Sequence, residues 1–407
     1  MRQTGHGVRT LTDFTATRAL FQLPDGVIYL DGNSLGPLPR GVRARLIDTV
    51  DAEWGARLIQ AWNDADWMTM PRRVGDRVGR LIGAPEGSVV MGDTLSVKVY
   101  QALASALDLS PERRVVLSDN GNFPTDLYMA EGLLGSLGRG HTLAVVAPED
   151  VAAAIDESVA VLMLTEVDYR TGRRHDMPAL IRKAHSVGAL VIWDLAHSAG
   201  ALPVDVAGAD ADFAVGCTYK YLNGGPGSPA FIYVAPRLAD SVRPALSGWM
   251  GHEAPFAFDL AYRPGAGIER MRVGTPPILA LAALDAALDV WDDVDMNDMR
   301  QASLRLAEVL IAEVEARCPE LALASPRDGE ARGSQVSFRH PEGYAIMQAL
   351  IARGVIGDFR APDILRFGLT PLYIGEHDIV AAVEVMAEVM DSRVWDRPEY
   401  RKQGLVT

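Results

Sequence analysis

ALVIWDLAHSAG (residues 189–200) and DFAVGCTYKYLNGGPG (residues 212–227) are the stretches that decide the fold. Each opens with an apolar run of strand length, and the polar residues come directly after it. Asp194 ends the first run and Lys220 follows the second. In open α/β sheets, ligand-binding groups gather at the carboxyl ends of the strands. The two stretches therefore predict neighbouring strands whose ends bring an aspartate and a lysine into one site.

Between about residue 85 and residue 290, short apolar runs alternate with helical patterns, which is typical of a parallel sheet flanked by helices. Several runs lack alternation because both faces of such a sheet are covered. The predicted strands are RVVLSD (114–119), TLAVVAP (142–148), VAVLMLT (159–165), ALVIWDL (189–195), DFAVGC (212–217) and AFIYVA (230–235). The predicted helices are SVKVYQALASAL after Thr94, TDLYMAEGLLGSL after Pro124, and MPALIRKAHSVG before the fourth strand.

From about residue 295 the pattern changes to that of a smaller α+β domain. A long amphipathic helix (297–316) comes first, and two strand-like runs and two helical patterns follow, namely QVSFRH, LRFGLT, YAIMQALIARG and DIVAAVEVMAEVM. We predict an N-terminal segment (1–60) that joins the small domain, a large domain (61–290) and a small C-terminal domain (291–407). Because no Ser/Pro-rich linker separates them, the domains should pack around a shared cleft.

Composition narrows the class of protein. The chain has 407 residues, 48% of them hydrophobic, so it can bury a large core. Its formal charge of −14 argues against nucleic acid or an anionic membrane as partner. The start MRQTGHGVRTLTDF shows no secretory signal, and the apolar windows are too short to span a membrane. Cys217 and Cys318 are too few for a disulfide framework, and no metal-ligand cluster is visible, so we expect a cytoplasmic protein without a metal.

The pairing of Asp194 with Lys220 fits pyridoxal 5′-phosphate (PLP). This cofactor needs a lysine for a Schiff base and a carboxylate that keeps its pyridine nitrogen protonated, so that the ring accepts electrons. Taken singly, Asp194 could be a helix cap and Lys220 a solvated loop residue. Together with the aromatic flanks of the lysine and the glycine-rich loop after it, they favour a PLP site.

The sequence also resembles the kynureninase family, which are PLP enzymes of the aspartate-aminotransferase-like fold. TYKYLN together with GWMGHE is a specific signal, whereas DxAH alone would be weak. The matching segments are LDGNSLGPLP (30–39), NFPTDLYM (122–129), WDLAHSAG (193–200), TYKYLNGGPG (218–227), GWMGHE (248–253) and TPPILAL (275–281). Cysteine desulfurases share this fold, but their lysine usually follows a histidine, and here Tyr219 precedes it.

The resemblance implies a large domain with a mostly parallel, seven-stranded sheet, and a smaller α+β domain. It implies a homodimeric hydrolase that cleaves the Cβ–Cγ bond of L-kynurenine to anthranilate and L-alanine, in tryptophan catabolism or NAD biosynthesis. The 3-hydroxy derivative is a possible second substrate. Trp62 and Thr275, which in the family face the substrate's aromatic ring, resemble the pattern that favours kynurenine itself.

The resemblance also implies roles for individual residues. The predicted catalytic residues are Lys220, Tyr219 and Asp194. The predicted cofactor contacts are Leu95, Ser96, Phe123, Pro124, Thr125, Asp126, Thr165, Asp194, His197, Tyr219, Lys220, Trp249 and Thr275. The predicted substrate contacts are Asn33, Ser34, Trp62 and Arg366. Independently, the helix start near Thr94 is a natural site for a phosphate, and a guanidinium such as that of Arg366 suits a carboxylate.

Plain structural alternatives exist for several of these residues. Asp126 could complement a helix dipole, Trp249 could be core or dimer packing, and His197 could be structural. Two departures from the family pattern are also present: Lys98 replaces an expected asparagine, and Glu166 replaces an uncharged residue. They could be paired surface charges, signs of altered activity, or mutual compensation.

Two other functions remain open from the sequence. A cysteine desulfurase or another lyase of the same fold would need a cysteine on a mobile loop. A PLP-fold protein that only binds or regulates would be expected to lack Lys220, Asp194 or Arg366, and all three are present. A dinucleotide-binding protein is disfavoured because no G-x-G-x-x-G follows a first strand.

Overall fold

The structure, a computed structural model, describes residues 11–402 and residue 404. The prediction that the start of the chain is not a secretory signal concerns the first ten residues, which lie outside that part. The chain opens with short elements: α1 (Phe14–Ala19), β1 (Phe21–Gln22), β2 (Ile28–Tyr29), β3 (Leu38–Pro39), α2 (Arg40–Asp48), a π-helical stretch (Thr49–Arg57), a 3-10 turn (Leu58–Gln60), α3 (Ala61–Asp64) and α4 (Met70–Leu81).

A seven-stranded sheet forms the centre of the molecule, in the order β4-β10-β9-β8-β7-β5-β6. Its elements are β4 (Val89–Met91), α5 (Leu95–Leu109), β5 (Val115–Asp119), α6 (Pro124–Leu137), β6 (Thr142–Val146), α7 (Val151–Ala154), β7 (Val159–Thr165), α8 (Met177–Ser186), β8 (Leu190–Asp194), β9 (Phe213–Gly216), β10 (Phe231–Val234), α9 (Pro236–Ala239) and α10 (Ile278–Ala287). Only β10 runs antiparallel to its neighbours. The predicted fold class is confirmed, and all six predicted strands are present.

The core lies on both faces of this sheet. Along β8, Ile192 packs into one apolar cluster with α5 and α6, whereas Val191 and Trp193 pack into a second cluster on the opposite face. The strand β7 is buried at every position. Because fully burying one such side chain contributes about 1.5–3 kcal/mol, two covered faces hold the strand ends rigidly in place. Within the described residues, the helices include none that is long and apolar enough to cross a membrane.

The C-terminal part is an antiparallel sheet with helices, in the strand order β11-β12-β15-β14. Its elements are α11 (Met296–Arg317), β11 (Ala322–Leu323), β12 (Gln335–Arg339), α12 (Gly343–Ile351), β13 (Val355–Ile356), β14 (Asp358–Arg360), β15 (Ile364–Gly368) and α13 (Glu376–Asp391). The strand β13 pairs with β2 in parallel, which ties the N-terminal segment to this unit. The division of the chain at residues 60 and 290 stays a prediction.

Candidate active site

The site forms where β8 and β9 end side by side. The strands are parallel neighbours, with Asp194 opposite Val215, so the loop after β9 carries Lys220 back toward the end of β8. The Nζ atom of Lys220 donates a hydrogen bond to Nε2 of His197 over 2.9 Å. The predicted meeting of the lysine with the DLAH segment is therefore present in the structure.

Two buried carboxylates lie beside this lysine. Asp194 and Asp126 are 3% and 2% exposed. Burial raises the pKa of Asp194 to about 6, and the charge of Lys220 opposes that rise. Burial, and then the charge of Asp194, raise the pKa of Asp126 well above its ordinary value. One oxygen of Asp194 accepts the Ala196 N–H, but Oδ2 of Asp126 has no hydrogen-bond partner in the described chain. This pair is suited to stabilise a cation in the cleft.

His197 is neutral in this environment. The imidazole is buried, and burial, followed by the nearby charges of Lys220 and Arg366, holds the pKa of His197 well below its usual value. Its Nδ1 atom has no partner among the described residues. A neutral imidazole can accept a hydrogen bond from a ligand or donate one to it.

Two aromatic rings flank the lysine. The Nζ atom of Lys220 lies 6.0 Å from the ring centroid of Phe123 and 5.8 Å from that of Tyr219. The Phe123 ring is 41% exposed, and it meets the edge of Tyr169 at 5.2 Å. Pro124 follows as the first residue of α6. An exposed ring next to a lysine and two carboxylates is a surface on which a flat heterocycle can stack.

The amino end of α5 opens into a cavity of about 340 Å³ next to Tyr219. Its lining includes Ser34, Thr94 and Leu95. The Thr94 hydroxyl caps the helix by accepting the Val97 N–H, and Ser96 lies in the first turn. Helix starts attract anions through free N–H groups and the helix dipole, so this cavity is suited to a phosphate.

The N-terminal loop closes over the lysine loop at Gly36. The Gly36 N–H donates to the Tyr219 carbonyl over 2.8 Å. A Cβ atom on Gly36 would lie 2.4 Å from the Lys220 carbonyl oxygen and 2.4 Å from Oδ1 of Asn223. Only glycine permits this approach, which brings Asn33 and Ser34 to the site.

Gly36→Ala is expected to lower the free energy of unfolding by about 1–3 kcal/mol, because one of the two loops must move. Urea denaturation followed by circular dichroism measures the change. The matched control is Gly41→Ala in α2, where a Cβ meets nothing within 4 Å. The control should be neutral or stabilising by up to about 1 kcal/mol. Equal losses in both variants would contradict the close approach at Gly36.

Arg366 reaches the site from β15, and its hydrogen-bond partners could not be identified from the sequence. Its Nε donates to Oδ1 of Asp358 over 2.6 Å, and its Nη2 donates to Oδ2 of the same carboxylate. Nη2 also donates to the Ser34 hydroxyl at 2.9 Å, and Nη1 donates to the Tyr169 carbonyl. Arg360 forms a further ion pair with Asp358 at 2.9 Å. The sequence feature that could have indicated these partners is the charged run DFR (358–360) inside a short apolar strand pattern.

Two further predicted residues lie near these groups without a visible chemical role. Asn33 is fully buried, and neither side-chain atom has a hydrogen-bond partner among the described residues. The Thr165 hydroxyl is buried and donates to the carbonyls of Val167 and Asp194 at 3.3 and 3.4 Å. Thr165 therefore ties the end of β7 to the end of β8.

The other predicted residues have their contacts elsewhere in the protomer. Trp249 is 40% exposed and packs on Phe256. Thr275 lines a cavity of about 20 Å³ together with Lys98. Trp62 packs edge-on against Trp67 at 5.7 Å. Their proposed places at the cofactor or substrate stay predictions.

The two departures from the family pattern are buried charges with separate partners. Lys98 donates to Oε1 of Gln101 at 2.9 Å and pairs with Asp93 at 3.3 Å. Glu166 accepts from Nε of Arg174 at 3.0 Å. Burial lowers the pKa of Lys98 and raises that of Glu166. They are neither surface charges nor partners of each other, which removes two of the alternatives left open by the sequence.

Comparison with known proteins gives relatives over nearly the full chain. Residues 299–386 match the model of the kynureninase C-terminal domain. The chain is 51% identical over 397 residues to the kynureninase of Burkholderia pseudomallei strain 1106a, covering 96% of this chain and 95% of that protein. The kynureninase of Pseudomonas fluorescens gives the same identity and coverage.

Solved structures with the same architecture are more distant in sequence. A cysteine desulfurase from Thermococcus onnurineus superimposes with a TM-score of 0.79 at 18% identity, covering 95% of this chain and all of that one. The cysteine desulfurase CsdA of Escherichia coli gives 0.78 at 20%, with 94% and 100% coverage. These likenesses show the fold, and the full-length relatives show the family: this chain belongs to the kynureninases.

Proposed function

We propose that this chain hydrolyses the Cβ–Cγ bond of L-kynurenine to anthranilate and L-alanine, with PLP as cofactor. The observation that carries the proposal is the arrangement around Lys220: an amine in contact with a neutral histidine, next to two buried carboxylates and an exposed aromatic ring. Relatives named kynureninase at 51% identity support the substrate.

The residues present fit PLP. Asp126 and Asp194 are two buried acids with little cationic compensation beyond Lys220, and Oδ2 of Asp126 lacks a partner among the described residues. A protonated ring nitrogen would supply the missing cation, while the start of α5 would hold the phosphate. One structural neighbour, a C-DES mutant, is described with glycine covalently linked to its PLP cofactor.

When bound, PLP supplies an electron-accepting ring that stabilises negative charge at the Cα of an amino acid. Lys220 would remove the Cα proton and later return a proton to the product. Asp194 would keep the ring nitrogen protonated. Burial raises the pKa of Tyr219, so its hydroxyl stays protonated and can carry a proton to the γ-carbonyl side as water adds. Arg366 would hold the α-carboxylate.

A cysteine desulfurase activity is disfavoured by the two thiols. Cys217 and Cys318 are both buried. Burial raises the pKa of Cys217, and it raises the pKa of Cys318 to about 11. A thiol needs exposure and a lowered pKa to attack as a thiolate, and neither cysteine has them.

The test is to mix the purified protein with PLP and L-kynurenine and to follow anthranilate by its fluorescence. We expect anthranilate to form with PLP present and not with the cofactor stripped. Parallel assays with 3-hydroxykynurenine and with cysteine, read as 3-hydroxyanthranilate and as sulfide, rank the substrates. A protein that binds PLP and forms only sulfide would overturn the proposal.

Lowering the pH through 6 is expected to weaken PLP binding to the apoprotein. The pKa of Asp194 is raised to about 6, so above that pH its carboxylate is charged and attracts the protonated ring nitrogen, and below it the attraction is lost. The dissociation constant should rise by up to about tenfold per pH unit below the pKa. Titration of apoprotein with PLP from about pH 5 to about pH 8 measures this. If Asp194→Asn keeps the same pH dependence, another group is responsible.

We further propose that the active protein is a cytoplasmic homodimer. Supporting this, Trp249 lies on the surface beside Phe256 and Phe258, which are 62% and 74% exposed. A second copy that covered these rings could bring Trp249 and Thr275 to its neighbour's site. We also propose that the protein prefers kynurenine over its 3-hydroxy derivative. The reaction would serve tryptophan breakdown or NAD synthesis.

A further inference from the structure

Arg366 is fixed by the protein on several sides. A guanidinium has five N–H groups. The four hydrogen bonds to Asp358, Ser34 and Tyr169 use one each from Nε and Nη1 and both from Nη2. A single Nη1–H is left. The side chain is 1% exposed, so water does not offer it an alternative orientation.

The partners come from three separate segments. Asp358 lies directly opposite Arg366 in the antiparallel ladder of β14 and β15, so the fork-to-fork pair forms across neighbouring strands. Ser34 comes from the N-terminal loop and Tyr169 from the loop after β7. Asp358 occupies the edge formed by Nε and Nη2. The opposite corner, Nη1, donates to the backbone carbonyl of Tyr169. The ring of the same tyrosine packs against Phe123, which lies beside Lys220.

We propose that Asp358 is the positioning residue of the substrate-carboxylate site, holding Arg366 so that its Nη1 corner faces the cofactor-binding lysine. The inference rests on the proposed role of Arg366 in binding the carboxylate. Asp358 already occupies the edge of Arg366, formed by Nε and Nη2, that could otherwise make two parallel hydrogen bonds to a carboxylate. The substrate carboxylate instead meets one N–H in a fixed direction.

The charges around Asp358 agree with this role. Asp358 pairs with Arg360 as well as with Arg366. Burial and the charge of Asp358 raise the pKa of neighbouring Asp31 to about 8, which favours its uncharged form at neutral pH. The ionised Asp358 therefore faces the guanidinium groups of Arg360 and Arg366. The cluster has a net positive charge that can attract the carboxylate of a substrate.

The experiment compares two amines on the PLP-loaded protein. L-Alanine carries a carboxylate and ethylamine does not, and both are followed by the change in cofactor absorbance on binding. In Asp358→Asn, an amide nitrogen replaces the acceptor of Nη2. We expect the dissociation constant of L-alanine to rise at least about tenfold, and that of ethylamine to change less than about twofold. Asp358→Glu keeps the charge but moves it, and should show the same selective loss.

The matched control is Asp363→Asn, which breaks the ion pair with Arg339 at 3.0 Å in the same unit. It should alter neither ligand. If both ligands weaken together in the Asp358 variants, or if Asp358→Glu binds L-alanine as the wild type does, the positioning role is overturned. Neither ligand requires cleavage of a carbon–carbon bond. A wild type that binds L-alanine but makes no anthranilate would therefore refute the proposed function and leave the result for Asp358 standing.

Discussion

Lys220→Ala is expected to lower the rate of anthranilate release by about a thousandfold or more, while the protein stays folded. The amine of this lysine is hydrogen-bonded to His197, and it is the proposed base at the substrate Cα. Its removal takes away both the attachment of PLP and the proton transfer. Single-turnover fluorescence with L-kynurenine measures the loss, and circular dichroism checks the fold.

Lys98→Ala provides a contrast at a second buried lysine. Lys98 pairs with Asp93 and Gln101. Its loss should reduce stability, because a buried partner is left unsatisfied, and should spare the chemistry of the protein that remains folded. If Lys220→Ala keeps more than about a tenth of the wild-type rate, Lys220 is not the base.

Asp194→Asn is expected to lower kcat by about a hundredfold or more at saturating PLP. An amide keeps the shape but cannot balance a protonated ring nitrogen, so the ring loses its capacity to accept electrons. Steady-state rates at several PLP concentrations separate this loss from weaker cofactor binding.

Asp126→Asn is the matched variant at the second carboxylate. Since burial and the charge of Asp194 raise the pKa of Asp126 well above its ordinary value, the neutral form of Asp126 is favoured, and its replacement by a neutral amide should cost less activity. A larger loss in Asp126→Asn than in Asp194→Asn would exchange the roles of the two acids.

The central sheet could be predicted because its strands are long apolar runs. Strand β7, VAVLMLT, is buried throughout, and the predicted range 159–165 is the observed one. By contrast, β4 has three residues and β14 has three, which is too short for any periodicity to emerge. Such strands exist because their neighbours offer hydrogen-bonding edges, and that information lies elsewhere in the chain.

The same distinction applies to the site. Asp194 and Lys220 could be found because each directly follows a recognisable strand. Asp358 and Tyr169 could not, since their importance comes from contacts with Arg366 across long sequence separations. Lys98 and Glu166 depart from the family pattern in the sequence, but only the structure shows that each charge is buried with its own partner.

The parallel pairing of β2 with β13 has a consequence for synthesis on the ribosome. The strand that contains Ile28 pairs with the strand that contains Val355, which is synthesised roughly 300 residues later. Until then the first strand has no partner. The central sheet can fold while that partner is still untranslated. The loop bearing Ser34 and Gly36 can settle over Lys220 only near the end of translation. The nascent chain should therefore form its central sheet early and its binding cleft last, so truncation just before Val355 should leave a folded sheet without a working site.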